Sequence, residues 1–143
     1  MDTKSVESDS NAGLKLELMS IDRAFSALSE QKGMKAAFIE YLDSNGVLLR
    51  PNSLPIIGAN AIDHIIQQND GAYTLTWNPV HAEVSTSGDV GFTYGEYAVQ
   101  LYSDAEKVKA DTVVYGTYVS NWKKQTDNKW KLVLHTTNEG LGE

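Results

Sequence analysis

The chain of 143 residues contains no cysteine, which excludes disulfide bridges, thiolate catalysis and cysteine-ligated metal centres. Positive charge is also scarce, because twelve Lys and Arg residues face nineteen Asp and Glu residues and give a formal net charge of −7. A protein this acidic repels nucleic acid and anionic membrane surfaces. We therefore expect neither as a partner.

Long apolar runs are missing as well. No stretch of about 18 apolar residues is present, so the sequence predicts no membrane-spanning helix. Residues 1–13 are polar and lack the apolar core of a signal peptide, and we expect them to form a disordered lead-in. The localisation is unknown: the sequence as it stands is typical of a cytoplasmic protein, but an exported protein whose signal peptide had been removed would look the same.

What remains is the composition of a soluble globular protein, with 41% hydrophobic and 22% charged residues. The length suits one domain, which we place at 14–143.

Helical periodicity is confined to the first half of the chain. An apolar stripe from Leu14 to Leu28 predicts one helix that ends near Gly33, and Met34 to Leu42 predicts a second, ended by the turn residues 43–46. Val47–Arg50 and residues 55–58 then form a small hairpin. A short third helix follows, with Asn60 as its N-cap.

The second half is β-structure. Long strands are predicted at Tyr73–Thr86 and Val90–Tyr102, and a charged connection at 103–110 precedes the last hairpin. Pro79 indicates an edge position or a bulge in the first strand, and Gly95 a bulge or bend in the second. Helices followed by an antiparallel meander indicate an α+β fold.

The hairpin Gly116–Asn138 carries the most information. If Asp127 and Asn128 form its turn, antiparallel pairing sets Trp122 opposite Val133, Ser120 opposite His135 and Tyr118 opposite Thr137. Alternation then puts these six residues on one face and the apolar residues Val119, Trp130, Leu132 and Leu134 on the other.

The order of these elements resembles the nuclear transport factor 2-like, or cystatin-like, cone fold, closest to its SnoaL-like and ketosteroid-isomerase-like branch. The resemblance spans roughly 14–138. It is carried by DRAFSAL, LLRPNSLPIIGANAI, SGDVGFTYGEY and the two tryptophans of WKKQTDNKW followed by KLVLHTTN. It implies a curved antiparallel sheet wrapped around the N-terminal helices as a cone-shaped α+β barrel, with a conical cavity.

The resemblance also implies which positions face the cavity: Val133, His135 and Thr137 on the last strand and Tyr118 on the strand before it. The isomerase chemistry does not transfer. The position of its carboxylate base is occupied by Arg50, which cannot accept a proton. The position of its oxyanion-hole tyrosine is occupied by Phe25, and that of its partner acid by Tyr118.

Arg50 is the most informative single residue. A guanidinium inside the cone needs an anionic partner, either Glu96, Asp22 or Asp43 of the chain or a carboxylate on a ligand. The alternative is a strand-end arginine that reaches solvent. A buried Glu96 would instead be a base candidate, provided that Gly95 leaves it on the inner face.

His135 is expected to line the cavity, either as a base or as a core histidine held by neighbouring hydroxyls. The three histidines, His64, His81 and His135, lie on unrelated elements without metal-binding spacing, so no metal site is predicted. No phosphate loop or dinucleotide motif is present, and no cofactor is expected.

We therefore predict a small-molecule-binding domain with an internal cone cavity, for an amphipathic or carboxylate-bearing ligand, with no catalytic residue assigned. The alternative is a SnoaL-like isomerase, lyase or hydrolase with His135 or Glu96 as base. A homodimer through the apolar outer sheet face is compatible with both. The predicted ligand-binding residues are Arg50, Tyr118, Ser120, Trp122, His135 and Thr137.

Overall fold

The structure, a computed structural model, describes residues 3–103 and 109–141. Its elements in chain order are α1 (Thr3–Lys32), α2 (Met34–Tyr41), β1 (Leu42–Leu49), β2 (Ile56–Ile57), α3 (Ala59–Ile66), a 3₁₀ turn (Asp70–Ala72), β3 (Tyr73–Val84), β4 (Val90–Tyr102), β5 (Lys109–Lys124) and β6 (Trp130–Glu139). The predicted order of two helices, a short hairpin, a short helix and four long strands is confirmed. Most of the predicted charged connection, 104–108, lies outside the described residues.

The six strands form one open sheet in the order β2-β1-β6-β5-β4-β3. The long strands pair antiparallel with their chain neighbours, and β1 joins the sheet through a parallel pairing with β6. The α+β class is thus confirmed, with a mixed sheet in place of a purely antiparallel one. That parallel pairing brings the end of β1, and with it Arg50, beside the last strand.

Helix α1 packs its predicted apolar stripe against the sheet, with Leu18 and Phe25 fully buried. It begins at Thr3, so the expected disordered lead-in is helical from that residue onward. Gly13 is the strongest helix breaker in this stretch, and one exposed glycine costs a helix only about 1 kcal/mol.

Two local predictions in the first half are corrected. Residues 43–46, expected to separate α2 from the first strand, lie inside β1 as an irregularity between the pairs Leu42–Leu132 and Val47–Leu134. The N-cap of α3 is Gly58, at φ 62°, and Asn60 lies within the first turn of the helix. Gly58 accepts the first amide bonds of the helix through its carbonyl group, so no side-chain cap is used.

The edge position or bulge predicted at Pro79 is confirmed. Strand β3 is an edge strand, and its register with β4 shifts between Pro79 and His81, which leaves Val80 without a partner. Gly95 lies opposite this bulge, not in one of its own. A Cβ atom there would come within 2.0 Å of the Asn78 carbonyl oxygen, so the close approach of the two strands requires glycine.

A second bulge changes the faces of the β5–β6 hairpin. Ser120 pairs with His135 and Tyr118 with Thr137, as predicted, but Trp122 pairs with Leu132 because Val133 is bulged out. Alternation restarts beyond the bulge. Trp130 and Leu132, predicted for the outer face, are therefore core residues, 4% and 0% exposed.

The core between the helices and the sheet is dominated by aromatic rings. Phe25 lies at its centre, with ring centroids 4.9 Å from Phe38, 4.5 Å from Trp77 and 5.8 Å from Trp122, all in edge-to-face geometry. Such contacts add about 0.5–1.5 kcal/mol per pair to the burial of apolar area.

Two serines of α1 cover the free edge of β3. Ser26 accepts a hydrogen bond from the Trp77 backbone N–H at 2.8 Å, and Ser29 donates to the Leu75 carbonyl at 2.5 Å. Both hydroxyls are buried. They satisfy backbone groups that would otherwise be available to a strand of another molecule.

Replacing both serines by alanine is expected to lower the free energy of unfolding by about 2–4 kcal/mol, since a buried backbone group left without a partner costs about 1–3 kcal/mol. The loss should occur although alanine is the better helix former. Urea denaturation measures it.

The matched control is Ser20→Ala, which changes an exposed serine of the same helix. If the double variant were as stable as this control, the two serines would not stabilise the edge of β3.

Candidate ligand-binding site

A cavity of about 370 Å³ opens between the helices and the inner face of the sheet. Helices α2 and α3, the end of β1, and strands β3, β4 and β6 all contribute to its wall. The lining residues are Met34, Phe38, Arg50, His64, Ile65, Gln68, Tyr73, Leu75, Tyr97, Val99, His135, Thr137 and Glu139. The lining therefore combines aliphatic and aromatic side chains with polar and charged ones.

Arg50 is the cation of this cavity. Its Nη1 donates to the Leu49 carbonyl at 3.0 Å and to the His135 carbonyl at 3.4 Å. Burial lowers the pKa of the guanidinium, and the nearby Tyr73 and Tyr97 oppose this effect. The side chain therefore points into the protein and does not extend to solvent as a free strand-end arginine.

None of the three acids considered as partners reaches Arg50. Glu96 is exposed on the outer face of β4, Asp22 is occupied elsewhere in the core, and Asp43 accepts a bond from the Asn45 backbone N–H. No carboxylate among the side chains that the structure describes forms an ion pair with the guanidinium. Among the described side chains and backbone groups, the guanidinium donates only to the carbonyl oxygens of Leu49 and His135.

Nothing in the sequence pattern distinguishes Tyr73 and Tyr97 from the other aromatic residues of the strands. Tyr97 reaches the cavity because Gly116 lies beside it on β5: a Cβ atom at Gly116 would be 2.4 Å from the Tyr97 ring. The glycine opposite the tyrosine is the signal that could have identified it, but only once the β4–β5 register is known.

His135 lies on the cavity wall and is 93% buried, with its ring against Phe38 at 5.1 Å and Tyr118 at 6.3 Å. Burial holds the pKa of His135 well below its usual range, and the positive charge of Arg50 lowers it further. The imidazole is therefore neutral at pH 7. Its Nδ1 and the Oγ of Ser120, directly across the strand pair, are buried without a hydrogen-bond partner among the described residues.

Behind the cavity, Asp22 of α1 is fully buried. It accepts hydrogen bonds from the Tyr118 hydroxyl at 2.7 Å and the Trp77 indole N–H at 2.9 Å. Burial raises the pKa of Asp22, and these two bonds partly offset the rise. Burial and the adjacent carboxylate also raise the pKa of Tyr118, which therefore remains a donor.

The structure brings three of the six predicted ligand-binding residues, Arg50, His135 and Thr137, to the cavity lining. The other three are packed behind it. Tyr118 binds Asp22, the Trp122 indole donates to Thr93 Oγ1 at 3.1 Å, and Ser120 is fully buried. Val133, expected inside the cone from the resemblance, borders a groove on the opposite side of the sheet because of the β6 bulge.

Glu96 and His135, the two base candidates, lie on opposite faces of the sheet. Glu96 pairs with Thr117 in a row of exposed side chains, whereas His135 shares the inner face with Ser120. Strand β4 has no bulge at Gly95, so Glu96 shares a face with Phe92 and Tyr94, but that face is the outer one. His64 of α3 also borders the cavity.

The described residues hold neither a metal-binding cluster nor a membrane-spanning helix. No group of three or more His, Asp or Glu side chains in 3–103 and 109–141 is arranged to hold a metal ion. None of the described helices is long and apolar enough to cross a membrane.

Several crystal structures share this architecture. A ketosteroid isomerase-like protein from Erwinia carotovora atroseptica has a TM-score of 0.67 at 15% identity, covering 87% of this chain and 95% of that one. An NTF2-like protein with a cystatin-like fold from Novosphingobium aromaticivorans has a TM-score of 0.65 at 13% identity, covering 89% and 82%. The CaMKII hub of S. rosetta has a TM-score of 0.66 at 15% identity, covering 88% and 96%.

No family model matches the sequence, and no curated protein matches it. At identities this low, structural likeness establishes the fold alone. The chain has the cone fold of the nuclear transport factor 2-like superfamily, shared with ketosteroid isomerase-like proteins, as the resemblance predicted.

The raised pKa of Asp22 predicts a specific pH dependence of stability. The folded state binds the Asp22 proton more tightly than the unfolded chain, so this group's contribution to stability falls as pH rises from the unfolded pKa to the raised folded pKa. Asp22→Asn removes the titration, and its amide can still accept from Trp77 and donate to the Tyr118 oxygen. Relative to the wild type, the variant should gain stability as pH rises through this window.

Chemical denaturation from pH 4 to pH 8 measures the difference in unfolding free energy between the two proteins; the range begins near the unfolded aspartate pKa of ~3.9. Asp63→Asn, at an exposed aspartate of α3, is the matched control. Parallel pH profiles for wild type and Asp22→Asn would contradict the assignment.

Proposed function

We propose that the chain is a small-molecule-binding domain whose cavity takes an amphipathic ligand with a carboxylate group held by Arg50. The observation that carries this proposal is a largely buried guanidinium with no anionic partner among the described residues. A buried charge without a counter-charge is costly, and proteins keep one where it serves a ligand.

Arginine suits a carboxylate because its planar donors can bind both oxygens at once. In Arg50 only Nη1 has bonds among the described residues, both to backbone carbonyl oxygens. The remaining N–H groups are free to bind a ligand. Tyr73 and Tyr97 lie close enough to affect the pKa of Arg50 and would flank the bound carboxylate.

The rest of the cavity supports a ligand that is mostly apolar. Five of the lining residues are apolar: Met34, Phe38, Ile65, Leu75 and Val99. The volume of about 370 Å³ lies at the small end of the range for ligand pockets, about 300–1,000 Å³. A medium-chain fatty acid matches both this size and this polarity.

Binding is favoured over catalysis because the two candidate bases are poorly suited. Glu96 faces away from the cavity, and the strongly lowered pKa of His135 makes it a weak base. The proposal therefore includes no reaction step.

Replacing Arg50 by glutamine is expected to weaken octanoate binding about tenfold to a hundredfold, since a hydrogen bond to a charged group contributes about 1.5–3 kcal/mol. Stability of the free protein should not fall, because the variant removes a buried unpaired charge. Isothermal titration calorimetry and urea denaturation measure the two effects.

The chain offers one matched control, Arg23→Gln, at an exposed arginine of α1. Unchanged octanoate affinity is expected there. Equal octanoate affinity in wild type and Arg50→Gln, or no binding to the wild type, would refute the proposal.

We also propose a homodimer through the outer sheet face, now defined by Phe92, Tyr94, Tyr115, Val119 and Leu134. Phe92 and Tyr94 are 37% and 42% exposed, with stacked rings 6.5 Å apart, and Tyr94 is paired with Val119. An apolar aromatic patch of this kind is typical of an interface. The S. rosetta protein of the same fold is described as a hub.

Tyr94→Glu is expected to convert the dimer to monomer, since a charge at the centre of an apolar interface is costly to bury. Light scattering at high micromolar concentration measures the mass. Ile66→Glu, at an exposed apolar residue of α3, should leave the dimer intact. A monomeric wild type would contradict the proposal.

A further inference from the structure

The cavity that holds Arg50 also has an anion in its wall. Glu139, the last residue of β6, lines the cavity, and it is the only acidic side chain among the described residues that does so. Its carboxylate is exposed and forms no hydrogen bond or ion pair with a described residue. Two opposite charges thus border one cavity, and no described side chain pairs with either.

Strand pairing explains why Glu139 faces the cavity. Glu139 lies opposite Gly116 on β5, and Gly116 lies opposite Tyr97 on β4, so the three residues form one row across the inner face of the sheet. Because Gly116 has no side chain, the Tyr97 ring lies over it: a Cβ atom there would overlap Cζ, the carbon that bears the hydroxyl. The ring therefore extends from β4 over β5, on the side of Glu139.

The phenol group of Tyr97 is close to both charges. Burial raises its pKa, the Glu139 carboxylate raises it further, and the Arg50 guanidinium opposes the rise. The two charges are nevertheless separate. Arg50 Nη1 is 3.4 Å from the His135 carbonyl oxygen, and Glu139 lies about 13 Å further along β6 at about 3.3 Å per residue. Thr137, which also lines the cavity, occupies the interval.

A ligand that matches both groups carries a carboxylate at one end and a cation at the other. The carboxylate would bind Arg50, and an ammonium group at the far end would lie near Glu139. A dicarboxylic acid of the same length would instead place two like charges together at Glu139. The apolar residues of the lining suit an alkyl chain between the two ends.

We propose that the cavity selects ω-amino acids, with Arg50 holding the carboxylate and Glu139 the ammonium group. This inference rests on the proposed function and names its ligand class. Glu139 acts as a specificity-determining residue and takes part in no reaction step. Because Glu139 is exposed, water screens its charge, and the preference it gives is modest.

The test compares three acids that differ only at the end remote from the first carboxylate: 8-aminooctanoate, 8-hydroxyoctanoate and octanedioate. Isothermal titration calorimetry on the full chain should give this order of decreasing affinity, with about twofold to fivefold between neighbours, the range expected for an exposed ion pair. Because salt screens charges, the differences should shrink when the ionic strength is raised from about 0.01 M to about 1 M.

Two substitutions at Glu139 test its role. Glu139→Gln should abolish the order, and Glu139→Lys should reverse it, so that octanedioate binds more tightly than 8-aminooctanoate. Damage to the fold would not produce a reversal. The matched control is Glu40→Gln, at an exposed glutamate of α2, because it changes the net charge of the protein by the same amount as Glu139→Gln. It should keep the wild-type order.

The outcomes separate the two proposals. Equal affinity of the wild type for the three acids, an order that persists in Glu139→Gln or Glu139→Lys, or an equal loss of the order in Glu40→Gln overturns the ω-amino-acid inference alone. No binding of any acid to the wild type, octanoate included, overturns the carboxylate-binding function as well.

Discussion

The carboxylate of Asp22 ties the layers of this protein together. One oxygen accepts from the indole of Trp77 on the edge strand β3, and the other from the hydroxyl of Tyr118 on the central strand β5. Helix α1 is thereby fixed across three strands by a fully buried charge-bearing group. Phe25, one turn further along, can then pack at the centre of the aromatic core. Helix α1 packs mainly on β3, whereas α2 and α3 supply the helical part of the cavity wall.

The elements themselves could be predicted from the sequence, since helical stripes and strand alternation are local properties. What alternation could not predict was where it restarts. The bulge at Val133 moved Trp130 and Leu132 from the expected outer face into the core, and no residue type at that position marks a bulge. Pro79 did mark one, because proline lacks the N–H that a regular ladder requires. The parallel β1–β6 pairing joins distant segments and left no local trace.

Part of the candidate site could also be predicted from the sequence. The hairpin register and the family resemblance placed His135 and Thr137 on the cavity wall, where they lie, whereas the direction of Arg50, into the cone or to solvent, stayed open. Tyr73 and Tyr97 could not be predicted, because their selection depends on a cross-strand neighbour, Gly116, whose missing side chain leaves room for a ring. The contributions of α2 and α3 depend on helix packing, which a single sequence does not encode in any short motif. Sequence patterns thus predicted the arginine of the site, but not the cavity-lining residues of α2, α3, β3 and β4.

The parallel contact between β1 and β6 also constrains when parts of the chain can fold. Leu42 pairs with Leu132 and Leu48 with His135, so strands separated by most of the chain must meet. Contacts of such large sequence separation form late, because the intervening chain must lose its freedom first. During synthesis the helices and the first hairpin leave the ribosome long before their partner strand does. The bond from Arg50 to the His135 carbonyl, and the burial that comes with it, therefore cannot form before β6 has been synthesised.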